Sequence, residues 1–217
     1  MTFSIVARCS RTGRFGIALA TSSPAVGARC PFAAAGVGAV VTQNRTDPRL
    51  GPAVLAQLQA GADAQAALDR VVETAPASHW RQLAAVDAQG RVASFHGART
   101  LLLSGEAHGD GVIAVGNLLA SLAVPTAMLH AFQQTVGDRN GLEQRLLDAL
   151  VAGCAAGGET RPLRSAALLV VDQDPFPVTD LRVDYHADPV RRLGEIWAVW
   201  APQADAYRRR VHDPDSC

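Results

Sequence analysis

The sequence predicts an α+β fold in which two stacked sheets lie between helical layers. Several strand-length runs are apolar on both faces, which requires each sheet to be covered on both sides. Strands follow one another as hairpins and helices come in pairs, so strand and helix do not alternate one to one as they would in a doubly wound sheet. The order is strands, two helices, strands, two helices, strands, one helix. Nothing in it reads as a linker or a repeat, so residues 1–217 are expected to form one domain.

Each element has a local reason. In Thr2–Arg8, Phe3, Ile5 and Ala7 alternate with Thr2, Ser4, Val6 and Arg8, the period-two pattern of a strand. Ser10-Arg11-Thr12-Gly13 supplies a turn, and Phe15 to Ser22 returns as an apolar strand. A loop holding Pro24 and Pro31 leads to a third strand, Gly36 to Gln43. Pro52, at a first helical position, opens a helix with Leu55 and Leu58, and Asp63 caps a second with Ala67, Leu68, Val71 and Val72 on one stripe. Gln82–Val86 and Val92–Phe95 flank Asp87-Ala88-Gln89-Gly90 as a hairpin. Residues 105–111 read as a glycine-rich loop before a strand at Val112–Val115.

Pro125 starts a helix with Met128, Leu129, Phe132 and Val136 on one face. Leu142, Leu146, Leu147, Leu150, Val151 and Cys154 mark the clearest helix, stopped by Gly157-Gly158. Ser165 to Val171 is an apolar strand. Leu181, Val183 and Tyr185 alternate with charged residues, as on an edge strand with one wet face. Asp188-Pro189 caps a last helix with Val190, Leu193, Ile196, Trp197 and Trp200 inward, which Pro202 kinks or ends.

Composition narrows the function. Twenty basic residues balance twenty acidic ones, and every one of the twenty is arginine. Zero net charge argues against a nucleic-acid partner or an anionic membrane surface. The absence of lysine removes Schiff-base chemistry and lysine nucleophiles. Cys9, Cys30, Cys154 and Cys217 form no CxxC pair and read as reduced thiols. The start has no signal-peptide h-region and Val112–Leu129 is too broken to span a bilayer, so a cytoplasmic protein without a membrane partner is expected.

Candidate chemistry begins at Thr2. Removal of Met1 would place a free α-amine beside the Thr2 hydroxyl, a minimal nucleophile and base. Such an amine titrates near neutrality, and entry into a strand would hold it rigidly. Many proteins begin Met-Thr without catalytic consequence. Gly116-Asn117, where a strand ends, offers a backbone N–H or the Asn117 amide as an oxyanion donor, or only a turn. Gln43 and Asn44 either orient a substrate amide or finish a strand. Ser22 and Ser23 end a strand without a nucleophile elbow around them. Gly36-Val37-Gly38 lacks the remainder of a dinucleotide fingerprint and reads as packing. Asp172, Asp174, Asp180, Asp184 and Asp188 read as a solvated face and the six histidines are scattered, so no metal and no cofactor is expected. His108 alone among them is kept as a site residue.

Together these segments are familiar. Thr2-Phe3-Ser4-Ile5-Val6-Ala7-Arg8, Ala25-Val26-Gly27-Ala28, Gly36-Val37-Gly38-Ala39-Val40-Val41-Thr42-Gln43, Gly116-Asn117-Leu118-Leu119-Ala120, Ser165–Val171, and Leu181-Arg182-Val183-Asp184 with His186 resemble, in this order, the bacterial family catalogued as domain of unknown function 1028. The resemblance covers essentially the whole chain. It implies the N-terminal-nucleophile hydrolase fold, a four-layer αββα sandwich, and places Thr2 at the position of the nucleophile. The proteasome-like members of that superfamily also use a lysine, which this chain lacks. The expectation is an amidohydrolase for a small amide or ureido-type metabolite. Thr2 and Asn117 would be catalytic, and Ser22, Gln43, Asn44, His108 and Gly116 would bind substrate. The alternative is a silent binding or scaffold protein on the same fold. A homodimer is expected from the apolar content and Trp197/Trp200.

Overall fold

The alternation in the first strand decides how the sheets stack. In a computed structural model, which describes residues 2–134 and 141–215, β1 (Thr2–Arg8) buries Phe3, Ile5 and Ala7 against helices and turns Thr2, Ser4 and Val6 toward a second sheet. Around it, β2 (Phe15–Thr21), β7 (Gly105–Gly109), β8 (Val112–Asn117), β9 (Ser165–Val171) and β10 (Thr179–Val183) complete a six-stranded antiparallel sheet in the order β10-β9-β2-β1-β8-β7. The second sheet, also antiparallel, is β3 (Pro31–Ala34), β4 (Gly38–Asn44), β5 (Arg81–Asp87) and β6 (Val92–His96) in sequence order.

Helices α1 (Leu50–Gln59) and α2 (Ala64–Thr74) pack on the four-stranded sheet through Leu50, Val54, Leu58, Leu68 and Val71. On the other side, α3 (Ala123–Gln134), α4 (Leu142–Ala155) and α5 (Pro189–His212) cover the six-stranded sheet through Val124, Met128, Leu146, Leu150 and Leu193. A third apolar cluster, with Val6, Phe15, Ile17, Val41, Val86 and Ile113, fills the space between the sheets. This is a mixed α+β protein whose sheets are each covered on both faces.

Several expected bounds move, for local reasons. Pro31 opens a separate edge strand, β3, where its missing N–H costs no ladder bond, so Gly36 is the hairpin turn at φ +70° rather than a strand start. Gly38 then sits where a Cβ would lie 2.5 Å from the Val86 carbonyl, which confirms packing as the reason for that glycine. The glycine-rich stretch is not a loop, because Gly105–Gly109 pairs with β8 as an edge strand. Pro52 is the third residue of α1 rather than the first, and α3 begins at Ala123 before Pro125; both prolines stay in the first turn, where an N–H has no intrahelical partner. Val136 lies outside the described residues. Asp63 caps α2 as expected, accepting from the Ala66 N–H at 2.8 Å.

Val151 points outward from α4, and Tyr185 lies beyond the end of β10 on the surface. Pro202 does not end α5, which runs on to His212. Its C-terminal half is held by charge: Arg208 pairs with Asp172 at 2.8 Å and Asp174 at 3.2 Å, and His212 Nε2 lies 2.9 Å from Asp174. Asp172 and Asp174 are therefore helix anchors rather than a solvated face. Trp197 packs against the helix-side core and its indole N–H donates to Gln144 Oε1 at 2.9 Å, while Trp200 stacks on Tyr207. Among the described residues no helix is long and apolar enough to cross a membrane.

Candidate functional site

The layer between the sheets is apolar at one end and polar at the other. Along β1 the inward residues run Val6, Ser4, Thr2; along β2 they run Ile17, Leu19, Thr21; along β8, Ile113, Val115, Asn117; and along β9, Leu169, Ala167, Ser165. The facing sheet does the same, with Val41 followed by Gln43 on β4 and Ala84 followed by Gln82 on β5. Register lines these ends up. Thr21 pairs with Ser165 and Thr2 with Asn117, so four neighbouring strands present one polar row. Opposite it, Gln43 pairs with Gln82 and Gln82 with His96.

Side chains join the two rows across the gap, and one backbone carbonyl sets their orientation. Gln82 Nε2 donates to the Gly116 carbonyl at 2.9 Å, an acceptor that cannot be exchanged. Gln82 Oε1 therefore faces the other way and accepts from Gln43 Nε2 at 2.6 Å and from Asn117 Nδ2 at 2.8 Å. Gln43 in turn presents Oε1 to the Ser4 hydroxyl, which donates at 2.5 Å, and its Nε2 also reaches the Thr2 carbonyl at 3.4 Å. Gln82 Nε2 also lies 3.2 Å from His96 Nδ1. His96 Nε2 lies 2.8 Å from Glu106 Oε2 but outside hydrogen-bonding angles, and Glu106 Oε1 also meets His108 Nε2 at 2.9 Å.

Once these bonds are assigned, two buried atoms of the network have no hydrogen-bond partner among the described residues, His96 Nε2 and Asn117 Oδ1. Asn117 is fully buried. One of its two side-chain N–H groups is spent on Gln82, and Oδ1 is the acceptor without a partner.

A second arm leaves Thr2 on the other side. Thr2 Oγ1 donates to Thr21 Oγ1 at 3.3 Å, which also accepts from the Ser23 N–H at 3.4 Å. Glu159 precedes β9 and accepts from the Ser22 N–H, with both oxygens at 3.2 Å. Burial pushes its carboxyl above the ordinary carboxylate range.

Of the expected site residues, Thr2, Asn117, Gly116 and Gln43 come together here, and Ser22 touches the group through its backbone. Gly116 is glycine because a Cβ would lie 2.6 Å from Leu119 Cδ2. Asn44 departs from its expected role. It ends β4 at φ +71°, and its side-chain N–H donates to the Trp80 carbonyl at 2.6 Å, finishing the strand rather than facing Thr2. His108 also departs. It pairs with Ile113, four register positions from Asn117, and reaches the row only through Glu106, His96 and Gln82. Thr21, Gln82, Glu159, His96 and Ser4 are site residues that the motif reading missed. For Thr21 and Gln82 the signal was the polar residue closing an inward apolar series, whereas Glu159 lies before β9 and closes none. A cavity of about 430 Å³ lined by Arg8, Phe15, Gly36 and Asp172 opens at the far end of the same layer, away from Thr2.

Comparison with known proteins gives the family of this chain. A model described as a family of unknown function, DUF1028, matches residues 2–193. The chain belongs to this family. The crystal structure of protein SPO2555 from Silicibacter pomeroyi, assigned to the same family, superposes with TM-score 0.84 at 34% identity over 92% of this chain and 85% of that one. Anbu, an ancestral β-subunit from Yersinia bercovieri, gives TM-score 0.44 at 12% identity over 94% of this chain and 97% of that one. Among curated proteins none matches this chain.

Proposed function

We propose that this DUF1028 protein has the four-layer αββα arrangement of an N-terminal-nucleophile hydrolase and is an amidohydrolase for a small amide or ureido-type metabolite. The observation that carries the reading is the convergence on Thr2. Its hydroxyl sits in a row of polar side chains on four strands, beside the buried and unpartnered Asn117 Oδ1. Removal of Met1 sets the α-amine of Thr2 next to that hydroxyl. Thr2 Oγ then attacks the substrate carbonyl, its proton passing to the α-amine and from there to the leaving nitrogen, with Asn117 Oδ1 accepting the substrate N–H and so fixing which face of the amide is presented. Collapse of the adduct expels the amine and leaves an acyl ester on Thr2, which water hydrolyses. Gln43 and Gln82 hold Asn117 and the Thr2 backbone in place.

Intact mass combined with turnover of an amide and ureide panel tests this. Loss of the Met1 mass, turnover by the wild type and at least a hundredfold loss in Thr2→Ala support it. Undiminished turnover by Thr2→Ala overturns it. The second reading, a silent binding protein on the same fold, is favoured by the extent to which the row satisfies its own hydrogen bonds, and retained Met1 would establish it. The protein is proposed to act as a homodimer on a small-molecule substrate.

A further inference from the structure

One aromatic ring at the Thr2 end of the layer carries two arginines. Trp80 immediately precedes β5, and the guanidinium carbons of Arg45 and Arg99 lie 3.8 Å and 5.4 Å from its ring centroid. Both arginines are exposed, and neither guanidinium meets a carboxylate among the described residues. Asp47, the acid of the same loop as Arg45, is taken by Arg49 at 2.8 Å and by Arg81 at 3.6 Å. Two cations gathered on one indole repel each other, and stacking on its face leaves the N–H fork at each guanidinium edge open.

Backbone bonds fasten this platform to the site. Asn44 donates to the Trp80 carbonyl at 2.6 Å, and the Arg45 N–H reaches the same oxygen at 3.4 Å. The Arg99 N–H donates to the His79 carbonyl at 2.7 Å. Gly97 lets that loop lie so close, since a Cβ there would stand 2.5 Å from the Ser78 and His79 carbonyl oxygens. The loop runs on to Leu101, whose N–H meets Asn44 Oδ1 at 3.5 Å and whose carbonyl accepts from Leu118 N–H at 3.1 Å. Arg45 therefore stands two residues beyond Gln43, which touches the Thr2 carbonyl. Arg99 stands two residues before Leu101, which is bonded to the residue after Asn117. Two residues of chain span at most about 7 Å.

We infer that Arg45 and Arg99, held on Trp80, form an anion subsite beside Thr2, so that the amide or ureide cleaved there carries a free carboxylate. The inference rests on the hydrolase reading above. A carboxylate is planar and takes two parallel N–H bonds from one guanidinium, the edge that a stacked arginine presents. The amide end of the same molecule meets Thr2 and Asn117 Oδ1. Asn44 is a positioning residue for this subsite: it faces away from Thr2 and fixes Trp80 and Leu101 to the end of β4. With zero net charge on the chain, the selection for an anion is local to this pair.

Matched ligands isolate that charge. The N-acetyl and N-carbamoyl derivatives of glycine and leucine are each compared with their neutral carboxamides, by calorimetric binding to Thr2→Ala and by turnover in wild type. At least one carboxylate is expected to bind about tenfold more tightly than its carboxamide, a preference that shrinks as salt rises. Adding Arg45→Gln and Arg99→Gln should bring that carboxylate down to the affinity of its carboxamide and leave the carboxamide and the unfolding midpoint unchanged. In the wild-type background the same pair of substitutions should raise KM for the carboxylate without lowering kcat. Arg45→Glu should turn the preference toward the neutral ligand. If no pair shows a preference for the carboxylate, or if the preference survives the double substitution, the subsite is overturned. If the preference is present and arginine-dependent while wild type turns over none of the ligands, the subsite stands as that of a binding protein and the hydrolase reading fails.

Discussion

Gln82 Nε2 donates to the Gly116 carbonyl at 2.9 Å, and this single bond between two sheets orients every amide in the site. With it in place, Gln43 and Asn117 must both turn their N–H groups toward Gln82, leaving Asn117 Oδ1 as the free acceptor.

Gln82 should accordingly be costly to remove. Gln82→Ala strands the Gly116 carbonyl and the N–H groups of Gln43 and Asn117 in a dry layer, and an unsatisfied buried group costs about 1–3 kcal/mol. A loss of about 3 kcal/mol in urea unfolding is expected. A variant as stable as wild type would show that the amides reorganise without it.

Arg14 and Glu143 tie β2 to α4. The guanidinium reaches Glu143 at 2.7 and 3.4 Å, and the Glu143 side chain is only 6% exposed. Arg14→Ala leaves that carboxylate unpaired and is expected to cost about 3–5 kcal/mol. The double variant Arg14→Met/Glu143→Met should recover most of this, because an apolar pair removes the desolvation penalty along with the attraction. Chemical denaturation of the three proteins decides it.

Cys154 supplies a pH test. Burial first, and the negative charge of Asp188 second, push its thiol up to about 11. The folded state thus holds the proton more tightly than the unfolded chain, whose thiols titrate near 8.5–9. Stability should fall as pH rises from about 9 toward 11, and Cys154→Ala should flatten that slope. Alkylation of Cys154 in the native protein should be slow at pH 8 for the same reason.

The lysine-free composition gives a direct assay of the amine in the proposed mechanism. The α-amino group is the one primary amine in the chain, so reductive methylation has a single target. Methylation should leave folding unchanged. It should slow turnover, because the α-amine of processed Thr2 takes the hydroxyl proton in the proposed mechanism.

Much of the fold was legible because apolar periodicity is a local property. The alternation of Phe3, Ile5 and Ala7 against Ser4 and Val6 sorted β1 onto its two faces, and Asp63 and Asp188 announced their caps. Elements with weak local signals were not legible. Gly105–Gly109 carries two glycines and two charge-bearing side chains, and becomes a strand only because β8 offers it an edge. Asn44 and His108 looked like site residues by their place at or near strand ends, yet side-chain direction and register send them elsewhere.

By itself the sequence determined which residues could be buried, where each apolar series closes on a polar side chain, and that no lysine takes part. Only the tertiary structure decided that Thr2, Thr21, Asn117, Gln43 and Gln82 share one buried space, because they come from five separate strands. It also decided that Asn117 offers an acceptor. A hydrogen-bond direction is a property of a whole closed network, and this one is anchored by a carbonyl that contributes no side chain to the sequence pattern.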